Sequence, residues 1–314
     1  MPSNQTPLGA LPSRFRRERL LVVGCGDVGL RAVRGLTAGA AAARPRLRVL
    51  ALTSSPHRLA ALREQGITPL VGNLDEPASL RRLAGLATRV LHLAPPPGQG
   101  HAQWWRDPRT LALVRALRLR GLPRSLVYAS TSGVYGDCRG QWVAETRAPQ
   151  PHTPRAHRRV DAEAAVRHFG RAAGVRVSIL RIPGIYAPDR EGGTPRARLL
   201  KGTAVLQARD DVYTNHVHAD DLARACLAAL WRGKPQRVYN ACDDTRLKMG
   251  DYFDLAADLY GLPHPPRVPR DTAGDQLPLM LLSFMSESRR LDNERLKKEL
   301  RLRLRYPTVR EGLV

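Results

Sequence analysis

The most constraining feature of the chain is a short apolar run that leads directly into a glycine-rich turn. Residues 20–23 read Leu-Leu-Val-Val, which is typical of a parallel strand covered on both faces. The spacing Gly24-x-Gly26-x-x-Gly29 follows at once. Gly24 allows a sharp turn, Gly26 allows the backbone to approach a pyrophosphate, and Gly29 allows the next helix to pack closely on the strand. The predicted dinucleotide-binding residues of this turn are Gly24, Cys25, Gly26, Asp27, Val28 and Gly29.

A helix is predicted immediately after the turn. Apolar and small residues recur at helical spacing on one face, namely Gly29, Ala32, Val33, Leu36 and Ala40. The N-terminus of such a helix offers free N–H groups and the positive end of its dipole to phosphates. Strand, turn and helix in this order favour a nucleotide site. The alternative is a purely structural turn in an α/β protein.

The loop after the second predicted strand bears on which dinucleotide is bound. Residues 47–53 are predicted to form that strand. An NAD site usually carries Asp or Glu about 20 residues beyond the glycines, where it binds the ribose 2′-hydroxyl. This chain has Thr53, Ser54 and Ser55 there, followed by Arg58, and this set suits a 2′-phosphate better. The prediction is therefore NADP in preference to NAD, with a solvent-exposed Arg58 as the alternative.

Two further loops follow predicted strands and reach the same edge of the sheet. In doubly wound sheets, ligands lie at the carboxyl ends of the strands. Asn73 and Leu74 follow the third strand and are predicted to lie near the adenine. Leu93, Ala94 and Pro95 end the fourth strand and are predicted to lie beside the pyrophosphate and ribose.

Several motifs further along the chain keep a consistent order. The fifth predicted strand runs into Tyr-Ala-Ser-Thr-Ser-Gly-Val-Tyr-Gly at residues 128–136. Later runs are Arg-Ile-Pro-Gly-Ile-Tyr at 181–186 and His-Val-His-Ala-Asp-Asp at 216–221. With the glycine turn and the His-Leu-Ala run at 92–94, they resemble the extended short-chain dehydrogenase/reductases, also called the NAD-dependent epimerase/dehydratase family. The resemblance extends over roughly residues 19–310.

The resemblance implies an α/β fold, a doubly wound parallel Rossmann sheet of seven strands with a small C-terminal substrate lobe. Right-handed crossovers between parallel strands predict the strand order 3-2-1-4-5-6-7. The predicted division has three parts. These are a disordered basic extension at 1–18, an NAD(P)-binding Rossmann core at 19–183, and a lobe at 184–314 interleaved with the last Rossmann elements at about 208–242.

The resemblance also implies a set of catalytic positions, which this chain fills only in part. In the family, a Tyr four residues before a Lys is the general acid/base, and a Ser or Thr at the end of the fifth strand binds the reacting oxygen. Thr131 matches the latter position, but the chain contains no Tyr-x-x-x-Lys sequence anywhere. The pair's positions fall on Arg155 and Arg159. A guanidinium does not lose its proton in proteins, so Arg159 is predicted only to offer charge and a hydrogen bond to the nicotinamide ribose.

Other side chains are candidates for the missing role. Tyr135 is the predicted catalytic partner of Thr131, Tyr186 and His216 are predicted to contact substrate, and His218 is a further candidate. Tyr135 and Tyr186 have an alternative interpretation as aromatic walls of the pocket. The favoured function is an NAD(P)-dependent oxidoreductase or epimerase with a relocated acid/base. The alternative is a catalytically inactive nucleotide-sensing regulator or scaffold that retains the Rossmann site.

The spacing His216-x-His218-x-Asp220 also suggests a metal site, because alternate residues of a strand share a face. The preferred interpretation is that Asp220 or Asp221 caps the helix predicted at residues 222–231. No metal is therefore predicted.

Composition narrows the partners of the chain. Its 314 residues carry a formal net charge of +23, which would attract polyanions non-specifically, but the basic residues are nearly all arginine and are spread along the chain. No specific nucleic-acid binding is predicted. No membrane association is predicted either, since no apolar run approaches the roughly 20 residues that span a bilayer. The four cysteines lie far apart, as in proteins of the reducing cytoplasm. The predicted partners are a carbonyl compound or nucleotide sugar as substrate, and a second copy of the chain in a homodimer.

Overall fold

A computed structural model describes residues 18–38, 47–98, 103–277, 282 and 285–314. The extension predicted at 1–18 therefore lies outside the described residues, except for Glu18. Among the described residues, no helix is both long enough and apolar enough to cross a membrane.

Helices and strands alternate along the first two thirds of the chain. They are β1 (Arg19–Val23), α1 (Asp27–Ala38), β2 (Arg48–Thr53), α2 (Leu59–Glu64), β3 (Thr68–Val71), β4 (Arg89–His92), α3 (Pro108–Leu117), β5 (Ser125–Thr131), β6 (Trp142–Val143), α4 (Pro154–Ala173), β7 (Arg176–Ile182), β8 (Gly184–Tyr186), α5 (Arg196–Leu200) and β9 (Val205–Leu206). The later elements are β10 (His216–His218), α6 (Ala219–Arg232), β11 (Arg237–Asn240), α7 (Met249–Tyr260), β12 (Arg267–Val268), α8 (Ala273–Gln276), β13 (Arg290–Leu291), α9 (Glu294–Leu300) and α10 (Val309–Gly312).

Seven of the strands form one parallel sheet. Their order is β11-β7-β5-β4-β1-β2-β3. Counted along the chain within the sheet, this is the predicted order 3-2-1-4-5-6-7, so the predicted Rossmann topology is confirmed. The strands β1 and β4 are neighbours, and the chain crosses from one half of the sheet to the other between β3 and β4. That crossing is where the crevice of a doubly wound sheet opens.

Strand β1 shows why its sequence is apolar without interruption. Successive side chains of a strand point to opposite faces. Leu20 and Val22 pack into the cluster under α1 and α6, whereas Leu21 and Val23 pack into the cluster under α3 and α4. All four are at most 1% exposed. Because both faces are covered by helices, each of these side chains contributes about 1.5–3 kcal/mol through burial.

The C-terminal part of the chain builds a third apolar cluster. It includes Tyr186, Phe253, Val268 and Val309, which come from segments predicted to form the substrate lobe. Three short parallel strand pairs, β10 with β8, β12 with β9, and β13 with β6, tie these segments together. The last pair joins residues nearly 150 positions apart in the chain, at Arg290 and Trp142.

The predicted cap of α6 is wrong. His218 is the N-cap residue, and its Nδ1 accepts the N–H of Asp220 at 3.2 Å. Asp220 and Asp221 instead lie in the first helical turn. Asp221 is buried, and its carboxylate accepts the N–H groups of Arg305 and Tyr306 from the C-terminal segment. The Asp221 carboxylate, which local spacing predicted to cap the helix, is therefore bonded to a distant part of the chain instead.

Candidate active site

The glycine turn lies against the end of β4. The N–H groups of Leu93 and Ala94 both donate to the carbonyl of Val23, at 2.7 and 3.0 Å. Gly24 adopts φ +84°, and a Cβ at this position would lie 2.4 Å from the backbone nitrogen of Ala94. Only glycine fits here, because both the left-handed backbone and the close approach exclude a side chain.

Gly26 and Gly29 face different surroundings. A Cβ on Gly26 would meet nothing within 4 Å, so the space above the turn is open. A Cβ on Gly29 would lie 3.3 Å from Val22 and 3.4 Å from the Cys25 sulfur, which shows how closely α1 packs on β1. Val28 is half-buried beside these glycines. Cys25 is buried, and its burial raises the pKa of its thiol to about 11. The open space lies at the N-terminus of α1, where unpaired N–H groups favour an anion.

Asp27 lies at the start of α1, and ion pairs balance the charge of its carboxylate. Its carboxylate pairs with Arg31 at 2.9 Å and with Arg190 at 2.7 Å. Arg31 is itself buried and also pairs with Asp189 and Asp220, each at 2.6 Å. This cluster joins α1 to α6 and to the loop after β8. It also neutralises a carboxylate that would otherwise repel a phosphate.

At the end of β2, Arg58 reaches the glycine turn. Its Nη2 donates to the carbonyl of Cys25 at 2.6 Å. Thr53 is buried, and its hydroxyl oxygen accepts the N–H of Ser55 at 3.2 Å, while Ser54 is exposed. Arg58 is half-buried rather than fully solvated. The loop thus brings one guanidinium to the turn, and it contains two serines and no carboxylate among residues 53–58.

The loops after β3 and β4 flank the same crevice. Asn73 uses its side chain within its own turn, accepting from the N–H of Asp75 and donating to Glu76, both at 3.1 Å. Because an amide has two N–H donors and two acceptor lone pairs, one of each stays available for an adenine. Leu74 is half-buried and Pro95 is exposed.

Strand β5 delivers Thr131 and is held in place by Arg159. The Thr131 hydroxyl oxygen accepts the N–H of Gly133 at 3.3 Å, which leaves its own proton available to a ligand. Nη1 of Arg159 donates to the carbonyl of Ala129 at 2.5 Å and to the hydroxyl of Tyr128 at 3.1 Å. Arg159 is 6% exposed, so a buried cation supports the end of this strand.

Tyr135 lies in the interior rather than at the crevice. It is fully buried, and its hydroxyl donates to Oδ1 of Asn240 at 2.7 Å. The guanidinium of Arg181 lies 4.5 Å from the centre of its ring. Burial raises the pKa of Tyr135 to about 12. These contacts argue against the acid/base role that the sequence suggested, because the hydroxyl is enclosed and already donates its proton.

The two predicted substrate contacts are also enclosed. The hydroxyl of Tyr186 donates to the carbonyl of Thr308 at 3.2 Å, and burial raises its pKa. The ring of His216 lies 4.2 Å from that of Tyr252, and burial lowers its pKa to about 3. The His216 imidazole is therefore neutral at pH 7, and its Nδ1 is enclosed without a hydrogen-bond partner among the described residues.

The run at residues 216–220 does not converge on one point. The ring of His218 stacks on Tyr306 at 3.7 Å, whereas His216 packs on Tyr252 and Asp220 pairs with Arg31. Within the described part of the chain, no group of three or more His, Cys, Asp or Glu side chains could hold a metal ion.

The sequence analysis missed a buried ion pair behind β5. Glu163 accepts hydrogen bonds from Arg181 at 2.8 and 3.1 Å and from the Ser130 hydroxyl at 2.7 Å. The available signal was that Glu163 falls between the inward-facing Ala162 and Val166 of α4. A charged residue on an apolar helix face indicates a buried partner.

A separate cleft of about 460 Å³ lies on the C-terminal part of the molecule. Its walls include Asp244, Asp251, Asp258, Thr308 and Arg310. None of these residues belongs to the site predicted at the carboxyl edge of the sheet.

The seven-stranded parallel sheet, with its glycine turn at the crossing point and a threonine at the end of β5, defines a Rossmann-fold dinucleotide-binding protein. The model of the NAD-dependent epimerase/dehydratase family matches residues 28–242. The chain belongs to this family. It is an enzyme of the NAD-dependent oxidoreductase and epimerase type.

Relatives agree with this assignment. GDP-6-deoxy-D-mannose reductase of Pseudomonas aeruginosa is 29% identical over 210 residues, which are 60% of this chain and 68% of the reductase. A conserved protein of unknown function from Silicibacter pomeroyi is 30% identical, with a TM-score of 0.75 over 94% of this chain and 96% of that one. UDP-glucose 4-epimerase of Thermotoga maritima, solved with UDP-glucose, shares the fold at 20% identity and a TM-score of 0.74, over 94% and 96%.

Proposed function

We propose that the protein is an NAD(P)-dependent oxidoreductase or epimerase that acts on a nucleotide sugar. The observation that carries the proposal is the open space above Gly26, at the start of α1 and on the same sheet edge as Thr131. The similarity to a GDP-6-deoxy-D-mannose reductase supports this substrate class, as does the fold shared with an epimerase solved with UDP-glucose.

The residues at the crevice fit a dinucleotide, and the set at β2 favours NADP over NAD. Phosphates would lie over the turn from Gly24 to Gly29, and the 2′-phosphate near Arg58. The other residues that we assign to the cofactor are Thr53, Ser54, Ser55, Asn73, Leu74, Leu93, Ala94, Pro95 and Arg159. When bound, NAD(P) supplies or accepts a hydride at its nicotinamide ring.

The chain's own contribution to the reaction centres on Thr131. Its hydroxyl can donate a hydrogen bond to the reacting oxygen of the substrate, while its oxygen accepts the N–H of Gly133. Arg159 supplies a fixed positive charge behind this position but no proton, because guanidinium stays protonated. Tyr135 and Tyr186 are enclosed. We therefore assign the proton to water that enters the open crevice.

A second candidate is a nucleotide-sensing regulator that retains the cofactor site but does not catalyse. The observation favouring it is that arginines occupy both positions of the usual Tyr and Lys pair. General acid–base help is typically worth about 10²–10⁴-fold in rate, so its loss would leave a slow enzyme or none.

One experiment separates the two candidates. The purified full chain is titrated with NADPH and NADH, and then tested for turnover with UDP- and GDP-sugars and simple carbonyl compounds. Binding together with turnover that Thr131→Ala removes at unchanged cofactor affinity supports the enzyme. Tight NADPH binding without turnover on any substrate favours the regulator, and failure to bind either dinucleotide contradicts both.

A further inference from the structure

The first turns of α4 carry a cluster of three arginines at the carboxyl edge of the sheet. Thr153 caps the helix, and Arg155, Arg158 and Arg159 follow. The helix packs on β5, whose end Arg159 holds through the carbonyl of Ala129. Because α4 begins at the carboxyl edge, Arg155 lies one helical turn nearer the crevice than Arg159, at the end of β5 that carries Thr131.

Within the part of the chain that the structure describes, no ion pair balances the charges of this cluster. Among the described residues, Arg155 makes neither an ion pair nor a hydrogen bond, and no carboxylate pairs with Arg158 or Arg159. Arg158 and Arg159 are only 7% and 6% exposed. Their Nε atoms are buried and have no hydrogen-bond partner among the described residues. Residues 99–102, the undescribed stretch before Trp104, contain no acidic residue.

Two carboxylates near the cluster, those of Asp107 and Asp161, already accept hydrogen bonds from other groups. Asp107 interacts electrostatically with Arg159, but its oxygens accept the N–H and the hydroxyl of Thr110, at 3.2 and 2.7 Å. Asp161 accepts the N–H of Asp107 at 2.8 Å. Neither carboxylate pairs directly with a guanidinium of the cluster.

Within the described part of the chain, the other buried arginines, Arg31, Arg89 and Arg181, each pair with a carboxylate, unlike Arg158 and Arg159. Arg31 contacts three carboxylates, and Arg181 is paired with Glu163. Like charges four residues apart on a helix repel each other. Arg159 is buried, whereas Arg155 is exposed. Partial desolvation and the charges of Arg159 and Arg158 lower the pKa of Arg155. A bound anion would relieve this repulsion.

We propose that Arg155, supported by the positive charge of Arg159, binds an anionic group of the substrate, a carboxylate or a phosphate, beside the reacting carbon near Thr131. This inference rests on the proposed function, because it takes the crevice to be the place where the substrate enters. Guanidinium is suited to the role, since its planar fork matches the two oxygens of a carboxylate or phosphate. The arginine at the position of the usual acid/base tyrosine thus selects substrate instead of moving a proton.

The test compares ligands that differ in one anionic group. Binding of UDP-glucuronic acid and UDP-glucose to the full chain is measured by calorimetry, with and without NADPH. Glucose 6-phosphate against glucose makes the same comparison for a phosphate. We expect the charged member of at least one pair to bind about tenfold to 100-fold more tightly, the range for a charge-assisted hydrogen bond.

Arg155→Gln should abolish this preference without changing the affinity for NADPH. Arg171→Gln, an exposed arginine in the last turn of the same helix, is the matched control and should retain the preference. Equal affinities within both pairs, no binding of either charged ligand, or a preference that survives in Arg155→Gln would overturn the inference. NADPH affinity is measured separately, so that a failure of the dinucleotide site is distinguished from a failure of the anion site.

Discussion

Arg58 is one side chain on which two effects meet. Its guanidinium donates to the Cys25 carbonyl of the glycine turn. In the proposed complex, its other N–H groups would bind the 2′-phosphate of NADPH. The first effect serves either dinucleotide, whereas the second serves NADPH alone.

Arg58→Ala is therefore expected to weaken NADPH binding by about 1–3 kcal/mol, the range for losing a hydrogen bond to a charged group, and NADH binding by clearly less. Titration of both cofactors measures the difference. Arg63→Ala, an exposed arginine on α2, is the control and should alter neither affinity. An equal loss for the two cofactors would show that Arg58 does not read the 2′-phosphate.

Tyr135 provides a second prediction at the scale of one residue. Tyr135→Phe removes the donor to the buried Asn240 and should cost about 1–3 kcal/mol in the free energy of unfolding. Turnover per folded molecule should be nearly unchanged, because the hydroxyl lies in the interior. A fall in turnover of about 10²-fold or more would instead restore Tyr135 as the acid/base. Urea unfolding and steady-state rates together distinguish the two roles.

At the scale of elements, helix α4 is held on the sheet by a buried ion pair as well as by apolar contacts. Glu163 on α4 pairs with Arg181 on β7, and both side chains are at most 3% exposed. Breaking a buried pair by removing one partner leaves an uncompensated charge, which typically costs about 3–5 kcal/mol. The same helix carries Arg155 and Arg159, so its position on the sheet matters for the proposed anion site.

Glu163→Gln is accordingly expected to lower the free energy of unfolding by about 3–5 kcal/mol, measured in urea. The matched control is Glu294→Gln, which removes the exposed pair between Glu294 and Lys298 and should change stability little. Similar effects of the two substitutions would mean that the buried pair does not secure α4.

At the scale of the whole molecule, three buried groups couple folding to pH. Burial lowers the pKa of His92 and of His216 to about 3. The unfolded chain binds protons at these positions below about pH 6.5. Stability from both histidines is therefore lost as pH falls from about 6.5 towards 3. Asp243 acts in the opposite direction, because burial raises its pKa to about 8 while the unfolded carboxyl ionises near pH 4.

Between pH 6.5 and 8, the Asp243 contribution should make stability decline as pH rises. Asp243→Asn keeps the shape of the side chain but cannot ionise, so this part of the decline should disappear. Urea unfolding of the wild type and the variant at pH 6.5 and pH 8 measures the effect. A decline of equal size in both proteins would show that Asp243 does not cause it.

Local pattern was sufficient for part of this protein. The apolar run at residues 20–23 and the three glycines after it predict a strand, a turn and a helix, and the structure contains β1, the turn and α1. The order of the seven strands followed from the handedness of crossovers. The absence of a Tyr-x-x-x-Lys sequence is likewise readable without coordinates. These features depend on neighbours in the chain, or on rules that hold for all such sheets.

Only the tertiary structure decided which side chains meet across long distances. The Tyr135 hydroxyl donates to Asn240, and the Asp221 carboxylate accepts from N–H groups of the C-terminal segment. Arg31 forms ion pairs with carboxylates from two other parts of the chain. The unpaired charges on α4 are visible for the same reason, since a missing partner can be recognised only when the surroundings are known. The physical cause is that hydrogen bonds and ion pairs act over a few ångströms in space, whereas the partners here are separated by tens to hundreds of residues in the chain.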